Sequence, residues 1–253
     1  MKLAEMKWPE VEALSRDTPI VFPIAAHEQH GHHMPLHTDS LLLGEITQRV
    51  EERMAEQIVL TPLQWFGNSH HHMDFSGTLS ADPRLYIDLL KNQVECFLVH
   101  GFKRLILING HGGNIVPGSQ AVFELRQKHR EETGLLLLSS TYWESAPPPG
   151  PESGLEQSAM GHAGEWETSM MLAIRPELVG DYQAEDTQEQ GRAFRAASRG
   201  WTMKDRTPRG HIGSPQAATV EKGRALLERF TDGVQSLLEE VVRWDGKSWD
   251  PSL

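Results

Sequence analysis

A chain of 253 residues with a formal net charge of −11 and a pI near 5.6 is ill suited to a nucleic-acid backbone or an anionic membrane as its main partner. Its hydrophobic content of 38% supports a core, no apolar run approaches the roughly 20 residues of a membrane helix, and the start MKLAEMKWPEVEAL lacks the apolar centre of a secretory signal. The single cysteine, Cys96, cannot close an internal disulfide. A cytoplasmic protein of one domain, 1–253, is therefore expected.

The elements alternate along the chain. Residues 8–14 predict a short helix, and the apolar, β-branched run 19–26 predicts a first buried strand. A helical pattern through Leu42, Ile46, Val50 and Met54 covers 39–56, and a second strand spans 58–65 before the polar loop 67–78. Asp82-Pro83 begins a helix with aspartate as N-cap and proline at its first position, ending near Gly101. Residues 104–108 form a continuous apolar strand of the kind buried on both faces in parallel sheets. The loop Asn109-Gly110-His111-Gly112-Gly113-Asn114 follows, then a helix to about Thr133, a strand at 135–141, and a proline-rich excursion at 146–154. A helix is predicted over 162–174 and another over 215–242, while 180–209 shows no usable period. Strands separated by helices imply an α/β fold, a three-layer αβα sandwich around a mostly parallel sheet.

In such sheets ligands gather beyond the carboxyl ends of the strands, and there the polar clusters fall. The first strand runs into His27-Glu28-Gln29-His30-Gly31-His32-His33-Met34-Pro35-Leu36-His37-Thr38-Asp39, five histidines and two carboxylates in thirteen residues. Alternation in an extended segment puts Glu28 and His30 on one face. With Asp39 they can begin a site for a divalent ion such as zinc, manganese or iron(II). The competing reading is a solvated loop in which Asp39 caps the following helix. The second strand leads into His70–Asp74, including His72, the third into His111 and the fourth into Tyr142-Trp143, so four chain returns place His, acidic and aromatic groups at one edge. This coincidence favours a site over a solvated loop. His111 lies between glycines but lacks the Lys-Ser/Thr of a nucleotide loop, which favours a metal ligand. In Gly161-His162-Ala163-Gly164-Glu165-Trp166-Glu167, Glu165 reads as a helix-terminus charge, and Glu167 is open between that role and a ligand.

These segments carry a resemblance. Glu28-Gln29-His30-Gly31-x-His33-x-Pro35-x-x-Thr38-Asp39, Phe75-Ser76-Gly77-Thr78, the glycine-flanked His111, His162-Ala163-Gly164-x-x-Glu167-Thr168-Ser169 and Gly210-His211-Ile212-Gly213-Ser214-Pro215 resemble, in order, the motifs of the creatininase family. The resemblance implies an αβα fold, a two-metal site holding zinc with manganese or a second zinc, and a homo-oligomer, often a hexamer. It implies Glu28 and His111 on one metal, His30 on the other, Asp39 bridging, and His162 as a substrate-facing catalytic histidine. One position departs: where creatininase carries a metal-binding glutamate two residues after the second-loop histidine, this chain has Gly113, and Glu167 becomes the candidate to supply that carboxylate. Tyr142, Trp143, His72, Gly112 and Gly113 are candidates to line the substrate pocket. The expected activity is hydrolysis of a C–N bond in a small cyclic amide or formamide, with His162 protonating the leaving nitrogen. The alternatives are a metal-dependent hydrolase, lyase or isomerase acting on an oxidised sugar or inositol, and a non-catalytic metal-binding oligomer.

Overall fold

The computed structural model describes residues 1–249 except 190, 192 and 195. The last four residues of the expected domain, and three of the unassigned stretch 180–209, therefore lie outside the described residues. In chain order the elements are α1 (Trp8–Glu12), β1 (Ile20–Ile24), α2 (Thr38–Arg53), β2 (Val59–Leu60), α3 (Pro83–Val99), β3 (Arg104–Asn109), α4 (Ile115–Lys128), β4 (Leu136–Thr141), α5 (Glu165–Ile174), α6 (Met203–Arg206) and α7 (Val220–Arg243). The four strands are all parallel in the order β2-β1-β3-β4, with Ile20 opposite Leu105 and Arg104 opposite Leu136.

The strand period of two sorts the apolar side chains into two cores. Val21, Ile106 and Ile108 face one side and pack with α2, α5 and α7, through residues such as Leu42, Ile46, Met170, Leu227 and Phe230. Ile20, Phe22, Ile24, Leu105 and Leu107 face the other and pack with Tyr86, Leu90 and Val94 of α3 and Ala121 and Leu125 of α4. Helices on both faces of a parallel sheet make the three layers expected from the alternating elements. Helices α5 and α7 approach closely at Gly223, where an added Cβ would lie 1.9 Å from the carbonyl oxygen of Ser169. Arg104 donates to the carbonyls of Val241, Val242 and Trp244 and so satisfies the open carbonyl end of α7.

Several boundaries differ from expectation. The second strand keeps only two ladder residues; Thr61 still donates to Val21, but after Pro62 the register shifts so that Gln64 rather than Leu63 donates to Pro23, and a single bridge joins Ile24 to Gln64. Helix α4 stops at Lys128, where the chain turns through His129 and Glu132. Helix α7 begins at Val220, capped by the Thr219 hydroxyl, which accepts from the N–H of Lys222, while 215–217 form a separate turn. The helix expected from His162 starts only at Glu165. Before it, Ala163 holds φ at 48° and His162 pairs with Ile212 in an isolated bridge.

Candidate metal centre and its pocket

The carboxyl edge of the sheet gathers the first strand's exit, the loop after β3 and the start of α5 around one buried point. Glu28, His30, Asp39, His111 and Glu167 are all between 0% and 4% exposed. Nε2 of His30 lies 3.0 Å from Oδ1 of Asp39 and 3.8 Å from Oε1 of Glu167. On the other side, Nδ1 of His111 lies 3.0 Å from Oδ2 of Asp39 and 3.2 Å from Oε1 of Glu28. Asp39 thus offers one oxygen to each of two donor groups. It sits in the first turn of α2 but does not cap it: the helix starts at Thr38, and the Asp39 carboxylate points into the cluster. The solvated-loop alternative fails for this residue.

Backbone contacts set which ring nitrogen faces the centre. Nδ1–H of His30 donates to the carbonyl of Glu28, and Nε2–H of His111 donates to the carbonyl of Asn68, an assignment that follows from both partners being pure acceptors. Each imidazole then turns a lone pair toward the carboxylates, as a metal ligand held from behind must. Glu167 is divided in the same way: Oε2 accepts from the N–H of Ala163, and Oε1 faces His30. Oε2 of Glu28 and Oδ2 of Asp39 are buried without a hydrogen-bond partner. Burial raises Glu28 above the ordinary carboxylate range, against the pull of His111. Asp39 resists the same burial because His30 and His111 hold it well below that range. Burial would lower His111 too, but the Glu28 and Asp39 carboxylates outweigh it and carry it up to about 10, so Nδ1 calls for a cation, a proton or a metal ion, between it and those carboxylates. No Lys or Arg among the described residues pairs with Glu28, Asp39 or Glu167.

His162 stands beside this cluster, its ring centroid 4.4 Å from that of His30. Its Nε2–H donates to the carbonyl of Gln29, and Nδ1 lies 3.7 Å from Oε1 of Glu28. Burial, reinforced by His30, depresses it well below the ordinary imidazole value. Nδ1 of His72 accepts from the Gln29 amide, and its Nε2 lies 3.5 Å from Glu28. Gln29 thus positions both rings, a function that the sequence reading missed because alternation points it away from Glu28 and His30. His71 was not singled out either, yet its ring stacks on that of His111 at 5.6 Å.

The remaining candidates divide. Trp143, His72, Gly112 and Gly113 line a cavity of about 940 Å³ that opens onto Glu28, Asp39, His111 and Glu167. Tyr142 does not line it. The chain turns after β4 ends at Thr141, and Tyr142, 1% exposed, packs edge-on against Phe230 in the core while its ring meets that of Trp143 at 4.9 Å. Of the five histidines in the first cluster only His30 enters the centre: His33 bonds to Thr168, His27 and His37 pair with each other, and His32 is at the surface. Glu165 is structural, as expected: it is fully buried, 2.6 Å from Nζ of Lys222, and accepts from the N–H groups of Glu156 and Gln157. The proline-rich excursion contributes Pro148 to the cavity wall.

Gly113 accounts for the missing glutamate. A Cβ there would lie 2.2 Å from the carbonyl oxygen of Asn68 and 2.4 Å from Nε2 of His111, so the loop at 68–71 fills the space a side chain would need. Gly113→Ala should therefore cost about 1–3 kcal/mol through overpacking, read as a lowered denaturation midpoint. An unchanged midpoint would show that this loop yields freely.

Comparison with known proteins agrees with this architecture. The family profile described as Creatininase, creatinine amidohydrolase, matches residues 4–238. Creatinine amidohydrolase of Pseudomonas putida is 32% identical over 258 residues, covering 94% of this chain and 96% of that one. Mycofactocin precursor peptide peptidase of Mycobacterium ulcerans is 29% identical over 240 residues, covering 89% and 85%. The solved structure of a mutant creatininase complexed with creatine superposes with a TM-score of 0.82 at 28% identity, covering 94% of this chain and 97% of that one. A Zn-Zn type mutant creatininase gives a TM-score of 0.83 at 27% identity, with 96% and 98% covered. With its αβα layers, its buried cluster of imidazoles and carboxylates, and this match along nearly its whole length, the chain belongs to the creatininase family and is a hydrolase.

Proposed function

We propose that the chain hydrolyses a C–N bond of a small cyclic amide or formamide, with Glu28 and His111 holding one divalent ion, His30 and Glu167 a second, and Asp39 shared between them. One observation carries this: three buried carboxylates converge on two imidazole nitrogens, and among the described residues no Lys or Arg neutralises them. Buried carboxylates without a partner cost several kcal/mol each, and a pair of cations answers all of them. Imidazole with carboxylate suits zinc, manganese or iron(II), and related creatininase structures are described as Zn-Zn and Mn forms.

Two bound ions supply a water acidified toward neutrality and a polarised carbonyl oxygen. The chain supplies the proton traffic. Nδ1 of His162, its lone pair free because Nε2–H is tied to the Gln29 carbonyl, can take the proton released on attack and return it to the leaving nitrogen. This refines the expected role of His162 from acid alone to base and then acid. The Gln29 carbonyl fixes the ring for both transfers, and Trp143 gives the cavity a flat wall for a planar substrate. Both curated relatives described above bear names that denote C–N cleavage, which supports the reaction class. The reading includes a cytoplasmic homo-oligomer. Among the described residues no helix is long and apolar enough to cross a membrane.

The test is turnover of a panel of cyclic amides and formamides by metal-reconstituted protein in water labelled with heavy oxygen. The expected result is solvent oxygen in the carboxylate product and loss of turnover on chelation. A product free of solvent oxygen would instead place the chain among lyases or isomerases.

A further inference from the structure

The end of the stretch 180–209, which showed no period in the sequence, contributes to the cavity wall: Arg199, Trp201, Met203 and Arg206 line it. Between residues 190 and 209 the sequence carries six Lys or Arg and one acidic residue, in a chain of net charge −11. Arg209 is answered by Glu185, with contacts of 2.7 and 2.8 Å. Arg206 is not answered. It makes no ion pair or hydrogen bond among the described residues, and its Nε is buried without a partner. Its guanidinium lies 4.1 Å over the ring of Trp201, which meets His71 at 4.9 Å, which in turn stacks on His111 at 5.6 Å. The cation therefore stands at the far end of a row of rings, Trp201, His71 and His111, that leads to the carboxylate cluster.

A partly desolvated guanidinium that, among the described residues, meets an aromatic face and no acceptor is incompletely satisfied. Its planar fork is matched by a carboxylate or a phosphate, which accept two parallel N–H bonds. Burial and the neighbouring Arg199 both press on its charge, so an anion placed there would relieve two cations together. We propose that Arg206, supported by Arg199, binds an anionic group of the substrate, a carboxylate or a phosphate, remote from the C–N bond cleaved at the metal cluster. This rests on the amide-hydrolase reading of the cavity. It narrows the substrate to a bifunctional molecule, with an amide at one end and an anion at the other. Trp201 holds the guanidinium plane and so acts as a positioning residue.

The experiment is calorimetric titration of metal-loaded wild type, Arg206→Gln and Arg206→Lys with glutarate, ethyl phosphate and the neutral control glutaramide. Metal content of each protein is measured in parallel. Glutarate or ethyl phosphate should bind Arg206→Gln about 10- to 100-fold more weakly than wild type, the worth of one charge-assisted pair. Arg206→Lys should fall between, since it keeps the charge and loses the fork. Glutaramide should bind the three proteins alike, and metal content should not change. A loss for either anion sustains the site, and the larger loss names the class. Equal binding of both anions to wild type and to Arg206→Gln overturns it, as does wild type binding glutaramide as tightly as glutarate. Should Arg206→Gln fail to fold, the comparison of Arg206→Lys with wild type decides by the same criterion. Arg206-dependent anion binding in a protein that cleaves no amide would refute the reaction class and leave the anion site standing. Hydrolysis of neutral amides, with anion binding indifferent to Arg206, would do the reverse.

Discussion

Asp39→Ala should empty the centre. Its two oxygens lie 3.0 Å from His30 on one side and 3.0 Å from His111 on the other, so its carboxylate spans the two imidazoles of the cluster. Removing it takes one negative charge from both proposed ions at a site only 3% exposed, where solvent cannot compensate. Breaking a buried charge pair costs about 3–5 kcal/mol, or roughly 10²- to 10⁴-fold in affinity. Bound metal should fall below one equivalent per chain after dialysis, and turnover with it. Elemental analysis of the purified variant measures this. Full retention of two metals would remove Asp39 from the bridging position and with it the proposed pairing of ligands.

His162→Ala should behave in the opposite way. The ring is turned so that its N–H is spent on the Gln29 carbonyl, and its free Nδ1 stands 3.7 Å from Glu28, outside the tighter contacts of His30 and His111. Metal content should stay near that of wild type while kcat drops by about 10²- to 10⁴-fold, the usual contribution of a general acid–base group. KM should change less than kcat, since the group acts when a proton moves. His162 also belongs to two of the residue groups close enough to share an ion, with Glu28 and His72 and with His30 and Glu167. The metal assay is therefore decisive: a His162→Ala protein that has lost its ions would make this residue a ligand, and the division between ligands and proton carrier would fail.

The sequence by itself determined the fold class and most of the centre. Strand and helix periods are local properties, and buried parallel strands advertise themselves as apolar runs; the two cores followed because side chains alternate along a strand. The positions of Glu28, His30 and His111 followed for a related reason, since the residue types that bind metal stood directly after strands whose carboxyl ends share one edge. Tertiary structure decided what depends on residues distant in sequence. Glu167 could be separated from Glu165 only when α5 was seen to begin after a turn at Ala163, sending one carboxylate to His30 and the other to Lys222. Tyr142 and Trp143 looked alike in the sequence, and only packing on Phe230 sent one into the core and left the other at the cavity. The tautomers of His30, His111 and His162 depend on carbonyls contributed by other turns of the chain. Arg206 and Trp201 lie in an aperiodic stretch that carries no local signal, because a segment held by contacts to the rest of the fold need not repeat any pattern of its own.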